Sequence, residues 1–187
     1  MKKVTVTIIW VFIGVCLQAQ TLTWDIEFRR VKRNETVEIN RPIRIETGEE
    51  VKITITPVTD CFTYVLFYYN ADQRYEIRQI GEMKGGEGKA LYFSPVNPPG
   101  TISLYVIMGL TSQAKLESLI QAYNSDQTYD NREALRNEIA NLQAISSVGG
   151  EAPGILLPTG VTTKEGEEVV TRFSNRDMYV RAITIRH

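Results

Sequence analysis

Residues 47–79, T-G-E-E-V-K-I-T-I-T-P-V-T-D-C-F-T-Y-V-L-F-Y-Y-N-A-D-Q-R-Y-E-I-R-Q, constrain the fold more than any other part of this chain. Val51, Ile53 and Ile55 alternate with Lys52, Thr54 and Thr56. Alternation at period two marks a strand with one dry face and one wet one. Pro57 ends that run, and Thr59-Asp60 is turn chemistry. From Cys61 to Tyr69 both faces are apolar, as in a strand enclosed by two layers. Asn70-Ala71-Asp72 turns the chain into residues 74–80, with Tyr75 and Ile77 inward. The stretch reads as an edge-to-centre hairpin in a sandwich core.

Strand signals continue on both sides. Leu22, Trp24, Ile26 and Phe28 alternate with Thr23, Asp25, Glu27 and Arg29. Val37 and Ile39 form a short second run, and Pro42-Ile43-Arg44-Ile45 a third. Pro42 has no amide proton, which places that segment at a sheet edge or strand start. Residues 91–93, 101–110, 169–173 and 178–185 complete the strands. Between them the period changes. Leu116, Leu119, Ile120 and Tyr123 recur at helical spacing behind Thr111 or Ser112 as N-cap. Asp130 and Glu133 form a capping-box-like start for a second helix, striped by Leu135, Ile139 and Leu142. The stripes can pack the helices together, onto the sheet, or onto a second copy of the chain. The order predicts a mainly β fold, an antiparallel β-sandwich or partly closed barrel. It forms a single domain over residues 20–187, with a helical pair inserted at about 112–145.

The N-terminus runs from positive (Lys2, Lys3) through apolar (4–17) to small, with Leu17-Gln18-Ala19 before Gln20. That is the order of a secretory signal peptide over residues 1–19. The apolar run is shorter than the roughly 20 residues a transmembrane helix needs. The expectation is export to the periplasm or cell envelope, with no transmembrane span after cleavage. Cys16 supports a second reading, a lipid-anchored envelope protein acylated at that cysteine. Bulky Val15 ranks it below cleavage after Ala19, since such sites want a small residue. Cleavage leaves Cys61 alone, which excludes an intramolecular disulfide. Opening an apolar strand, it reads as a buried small hydrophobe, with pairing to another chain as the alternative. Cleavage also removes two lysines and no acid, taking the net charge from −1 to −3. That balance argues against nucleic acid as a partner.

Several runs in order carry a family resemblance. They are Arg41-Pro42-Ile43-Arg44-Ile45, Thr47-Gly48-Glu49-Glu50-Val51, Ile53, Ile55, the strand Asp60-Cys61-Phe62-Thr63-Tyr64-Val65-Leu66 and Asn70-Ala71-Asp72. Pro98-Pro99-Gly100-Thr101 and Leu104-Tyr105-Val106-Ile107 complete the order. Over roughly Arg41 to Leu119 the chain resembles the bacterial family called domain of unknown function 4384. The turn lacks the glycine usual there, and the next strand lacks the usual Leu-Phe-Pro ending. The resemblance implies a β-rich envelope module and transfers no catalytic residue, because the family has no established activity.

Motifs that carry chemistry are few. The one histidine, His187, ends the chain, a poor place to hold a catalytic imidazole. Zinc needs several His or Cys ligands, and cleavage leaves one of each, so no metal or cofactor is expected. The loop Gly85-Gly86-Glu87-Gly88-Lys89 has Met83 and Ala90 where a phosphate-binding loop needs Gly and Ser or Thr. It reads as a mobile hairpin loop. The acids Glu49-Glu50, Glu167-Glu168 and Asp25/Glu27 sit by turns or on wet faces, where solvated carboxylates belong. Tyr64, Tyr68, Tyr69, Tyr75 and Tyr92 read as core and cross-strand packing before they read as a binding groove.

One charge run remains. Arg29, Arg30, Lys32 and Arg33 are the candidate ligand-binding residues, for an anionic partner such as a lipid headgroup or acidic polysaccharide. The competing reading is a solvated strand end whose field Glu27, Glu35 and Glu38 dilute. The functional expectation is a noncatalytic exported cell-envelope module that binds or assembles with an envelope protein or polysaccharide. A carboxylate-dependent hydrolase acting on an envelope polymer is the alternative from another class. Sites are to be sought around residues 47–79, in the arginine cluster, the glycine loop and the helical insert.

Overall fold

The computed structural model describes residues 21–39, 41–95, 98–148, 171–175 and 177–187. The segment read as a signal peptide, with Cys16, lies outside them, as do Glu167 and Glu168. Among the described residues the order is β1 (Leu22–Arg30), β2 (Glu35–Thr36), β3 (Ile43–Arg44), β4 (Val51–Pro57), β5 (Cys61–Tyr69), β6 (Arg74–Met83), β7 (Lys89–Phe93) and β8 (Thr101–Gly109). Helices α1 (Ala114–Ser125) and α2 (Tyr129–Val148) follow, then β9 (Thr171–Asn175) and β10 (Met178–Arg186). The strands form two sheets that do not close into a barrel. One has the order β2-β1-β4-β7, with β9 also paired to β1; the other is β3-β10-β8-β5-β6. The fold is a β-sandwich with an inserted helical pair. β3 and β10 run parallel, unlike their neighbours.

Alternation places the core. Leu22, Trp24, Ile26 and Phe28 of β1 are all fully buried, facing β5, β8 and β10 of the other sheet. Phe67 and Phe93 stack at 4.7 Å between the sheets. β5 lies between β8 and β6 and serves two cores. Val65 and Phe67 face the sandwich interior, while Tyr64 and Leu66 face the helices beside Ile107. That double duty explains its apolar run. Burying each such side chain is worth about 1.5–3 kcal/mol.

The expected edge-to-centre hairpin over residues 47–79 is corrected. β4 pairs with β1 and β7, whereas β5 belongs to the other sheet. Beyond Pro57, Val58 bonds back to the Thr23 carbonyl at 2.8 Å, and the chain crosses the sandwich. The hairpin in this stretch is β5–β6, and β6 is the sheet edge.

The helices cover the outer face of that second sheet. Leu116, Ile120 and Tyr123 of α1 and Leu135, Ile139 and Leu142 of α2 are buried against Tyr64, Leu66, Tyr75 and Ile107. Both stripes are thus occupied by the chain's own sheet, not left for a second copy. Neither Thr111 nor Ser112 caps α1. The N-cap is Gln113, without a side-chain cap hydrogen bond, and its own amide donates to the Tyr64 hydroxyl of β5 at 2.8 Å. That hydroxyl donates to Glu117 at 2.7 Å, as does Ser112 at 2.9 Å. α2 begins one residue before Asp130, with Thr128 Oγ1 accepting from the Asn131 amide at 3.3 Å. Glu133 faces Arg132 and Arg136 instead of closing a capping box. No helix among the described residues is long and apolar enough to cross a membrane.

Candidate functional site

The chain passes from one sheet to the other between β1 and β3, and an open cleft of about 670 Å³ lies there. Arg30, Glu35, Glu38, Arg41, Arg44 and Arg186 supply its charged lining. Arg30 ends β1 and points into a largely buried position. Its Nη1 donates to both carboxylate oxygens of Glu49, at 2.9 and 2.7 Å, and its Nη2 to the Arg44 carbonyl at 2.7 Å. Glu49 is only 7% exposed. Burial alone would raise its pKa, but the Glu46 amide and then Arg30 and Arg33 outweigh burial and hold it below the ordinary carboxyl range. Glu49 is therefore a structural anion that neutralises Arg30. Its lowered pKa is the opposite of what a proton donor at neutral pH requires.

Arg41, Arg44 and Arg186 differ. All three are exposed, and none has an ion pair or side-chain hydrogen bond among the described residues. Arg44 and Arg186 are direct partners across the parallel β3–β10 pair. Their neighbours Ile43 and Ile185 are both buried, so the two arginines stand together on the outer side. Two hydrogen bonds hold this corner. Arg30 grips the Arg44 carbonyl, and the Ile45 amide donates to the Arg186 carbonyl at 2.9 Å. The two acids of the lining, Glu35 and Glu38, are exposed. Glu35 lies 3.8 Å from Arg30.

The sequence candidates divide at this cleft. Arg30 lines it, but as a neutralised tie. Arg29 pairs with Glu27 at 2.8 Å and donates to Asn34 at 3.1 Å. Arg33 pairs with Glu46 at 3.2 Å and lies 3.9 Å from Glu49. Lys32 sits exposed in the turn between β1 and β2 and is not part of the lining. The structure therefore does not bring the four together as one site. Sequence reasoning passed over Arg41, Arg44 and Arg186. The outward arginines of Arg41-Pro42-Ile43-Arg44 were a signal, since no acid lies within that run. Arg186 could not join them without the β3–β10 pairing.

The other regions are engaged in packing. The glycine loop is no mobile hairpin loop, because it links β6 of one sheet to β7 of the other. Gly85 donates to Asp60 at 2.8 Å and Gly86 to the Pro57 carbonyl at 2.7 Å, pinning the loop to the β4–β5 crossing. The Gly85 amide, then Lys84, hold the Asp60 carboxyl low. Tyr64 and Tyr75 are buried, and only Tyr92 of the five tyrosines stands well exposed. Cys61 is a buried free thiol whose pKa burial raises. His187 is better held than its position suggests. Its backbone exchanges two 3.1 Å hydrogen bonds with Gly100.

No family model matches the chain, and no curated protein or solved structure matches it either.

Proposed function

We infer that this chain is a noncatalytic module of the bacterial cell envelope that binds an anionic envelope component at the β3–β10 cleft. One observation carries the reading: Arg41, Arg44 and Arg186 line one cleft, and none has an ion pair among the described residues. Like charges directly opposite each other destabilise a sheet. A surface that keeps such a pair is stabilised when an anion arrives. Export rests on the Lys2-Lys3, apolar, Leu17-Gln18-Ala19 order, with acylation at Cys16 as its variant. The resemblance to domain of unknown function 4384 is part of the same proposal, since Arg41 and Arg44 fall in its first matching run. The hydrolase alternative is less well supported. The acids lining the cleft are solvated, and buried Glu49 is clamped as an anion.

Sedimentation with isolated bacterial envelopes tests this function. The protein is expected to pellet at low salt and to be released as salt screens the contact. The double variant R44Q/R186Q should stay in the supernatant. Equal pelleting of both proteins, or none by either, would overturn the assignment.

A further inference from the structure

The arrangement around the cleft narrows what it can hold, given the anion-binding reading above. Arg44 and Arg186 are in register on neighbouring strands, so their backbones lie about 4.8 Å apart. Arg41 lines the same cleft. Each guanidinium is a planar fork of donors suited to paired oxygens. A carboxylate offers two oxygens and one charge, too little for three forks. A phosphate monoester offers three terminal oxygens and roughly −1.5 to −2 charges at neutral pH. The acids lining the same cleft set a second limit. Glu35 and Glu38 would repel a further negative group, so a chain of closely repeated anions fits poorly.

We propose that Arg41, Arg44 and Arg186 form a phosphate site, taking the terminal oxygens of a phosphate monoester or of orthophosphate. The compact charge lies against the β3–β10 rim, and the uncharged remainder of the ligand extends past Glu35 and Glu38. Arg30 is a positioning residue. Engaged by Glu49, it holds the Arg44 backbone and does not itself meet the ligand. The source of the phosphate can be a soluble ester or a lipid headgroup, and the chemistry is shared.

Titration calorimetry of the purified protein with orthophosphate, glycerol 3-phosphate and acetate tests the site. Flotation with phosphatidylcholine vesicles, with and without phosphatidic acid, tests the lipid source. Binding should be at least about tenfold weaker in R44Q and in R186Q, matching the loss of one charge-assisted contact. K89Q removes equal charge on β7, at the far edge of the other sheet, and should bind normally. Affinity should rise with pH through about 6, where the monoester gains its second charge. Binding of glycerol 3-phosphate identifies a soluble source, and binding only of phosphatidic acid vesicles a membrane one. Both outcomes require the arginines. Acetate binding as tightly as phosphate, K89Q weakening binding as much as R44Q, or no phosphate compound binding at all would overturn the phosphate assignment. If envelope pelleting nevertheless still depends on Arg44 and Arg186, the binding module stands and only the ligand class falls. Circular dichroism of each variant confirms folding, and these exposed arginines are expected to leave it unchanged.

Discussion

Glu49→Gln should destabilise the protein by about 2 kcal/mol, well beyond the usual effect of a surface change. Glu49 is 7% exposed and Arg30 16%, so water cannot replace the lost charge freely. Breaking a fully buried ion pair from one side costs about 3–5 kcal/mol, because the remaining charge is left uncompensated. Here the cost is smaller. Arg30 keeps some solvent, the Arg44 carbonyl at 2.7 Å and Glu35 at 3.8 Å, and glutamine can still accept one hydrogen bond. Urea titration reads the change directly as a lower midpoint at constant slope. For a chain of this size the melting temperature should drop by about 4–8 °C. Acid supplies an internal control. The native carboxyl sits below the ordinary value of 4.5, so between the two values the unfolded chain binds more protons. The stabilisation is full above 4.5 and is lost as pH falls through the lowered native value. That acid-sensitive step should be absent in E49Q. A loss under about 0.5 kcal/mol at pH 7, the size of an ordinary surface change, would refute the claim that Glu49 clamps Arg30.

Three further outcomes follow from the packing. Leu135→Ala removes a fully buried side chain between α2 and the sheet and should cost about 2–5 kcal/mol in urea; a loss under about 1 kcal/mol would mean α2 does not dock as described. Tyr64→Phe leaves the Gln113 amide without its acceptor and should cost about 1–3 kcal/mol. Alkaline absorbance titration adds a check on Tyr64: burial first, then Glu117, push the phenol up to about 12 against the Gln113 amide. The unfolded phenol releases its proton first, so this contribution to stability declines as pH rises from the ordinary value of 10, and an ordinary tyrosine titration would contradict the burial. Gly85→Ala would set a methyl 2.6 Å from the backbone oxygen of Val58, with 3.2 Å to the Thr59 Cα. Neither neighbour is a flexible chain end, so a loss of about 1–3 kcal/mol is expected, and a neutral variant would show that the loop is not pinned.

The patterns that were legible in the sequence are those that depend on one segment at a time. Leu22 to Phe28 and Val51 to Ile55 alternate because each strand has its own dry face. Cys61 to Tyr69 is apolar throughout because layers lie on both sides. The helical stripes were visible for the same reason. What was not legible depends on which segments meet. Pro57 ended β4 correctly, yet nothing local said that β5 joins the other sheet. Thr111 and Ser112 have the right chemistry for a cap, but the helix starts behind Gln113, whose amide is held by the buried Tyr64 of β5.

The candidate site shows the same limit more sharply, because charge is assigned by neighbours in space. Arg29, Arg30, Lys32 and Arg33 stood out as a run, and a run is conspicuous in one dimension. Folding brings Glu27 to Arg29, Glu49 to Arg30 and Glu46 to Arg33, so most of that charge is answered. Arg41 and Arg44 share one short run, but Arg186 lies far along the chain, so no run in the sequence joins the three. The one parallel pairing among the described strands places two of them side by side, and neither has an ion pair among the described residues. Density of charge in sequence therefore singled out arginines that folding mostly pairs with acids, while the proposed site rests on charge left unanswered in space. The two regions remain linked through a single side chain. Arg30 belongs to the conspicuous run, yet its bond to the Arg44 carbonyl supports the inconspicuous cluster. Loosening Arg30 by removing Glu49 should therefore weaken anion binding as well as stability. A variant that loses stability but binds phosphate unchanged would separate the clamp from the site.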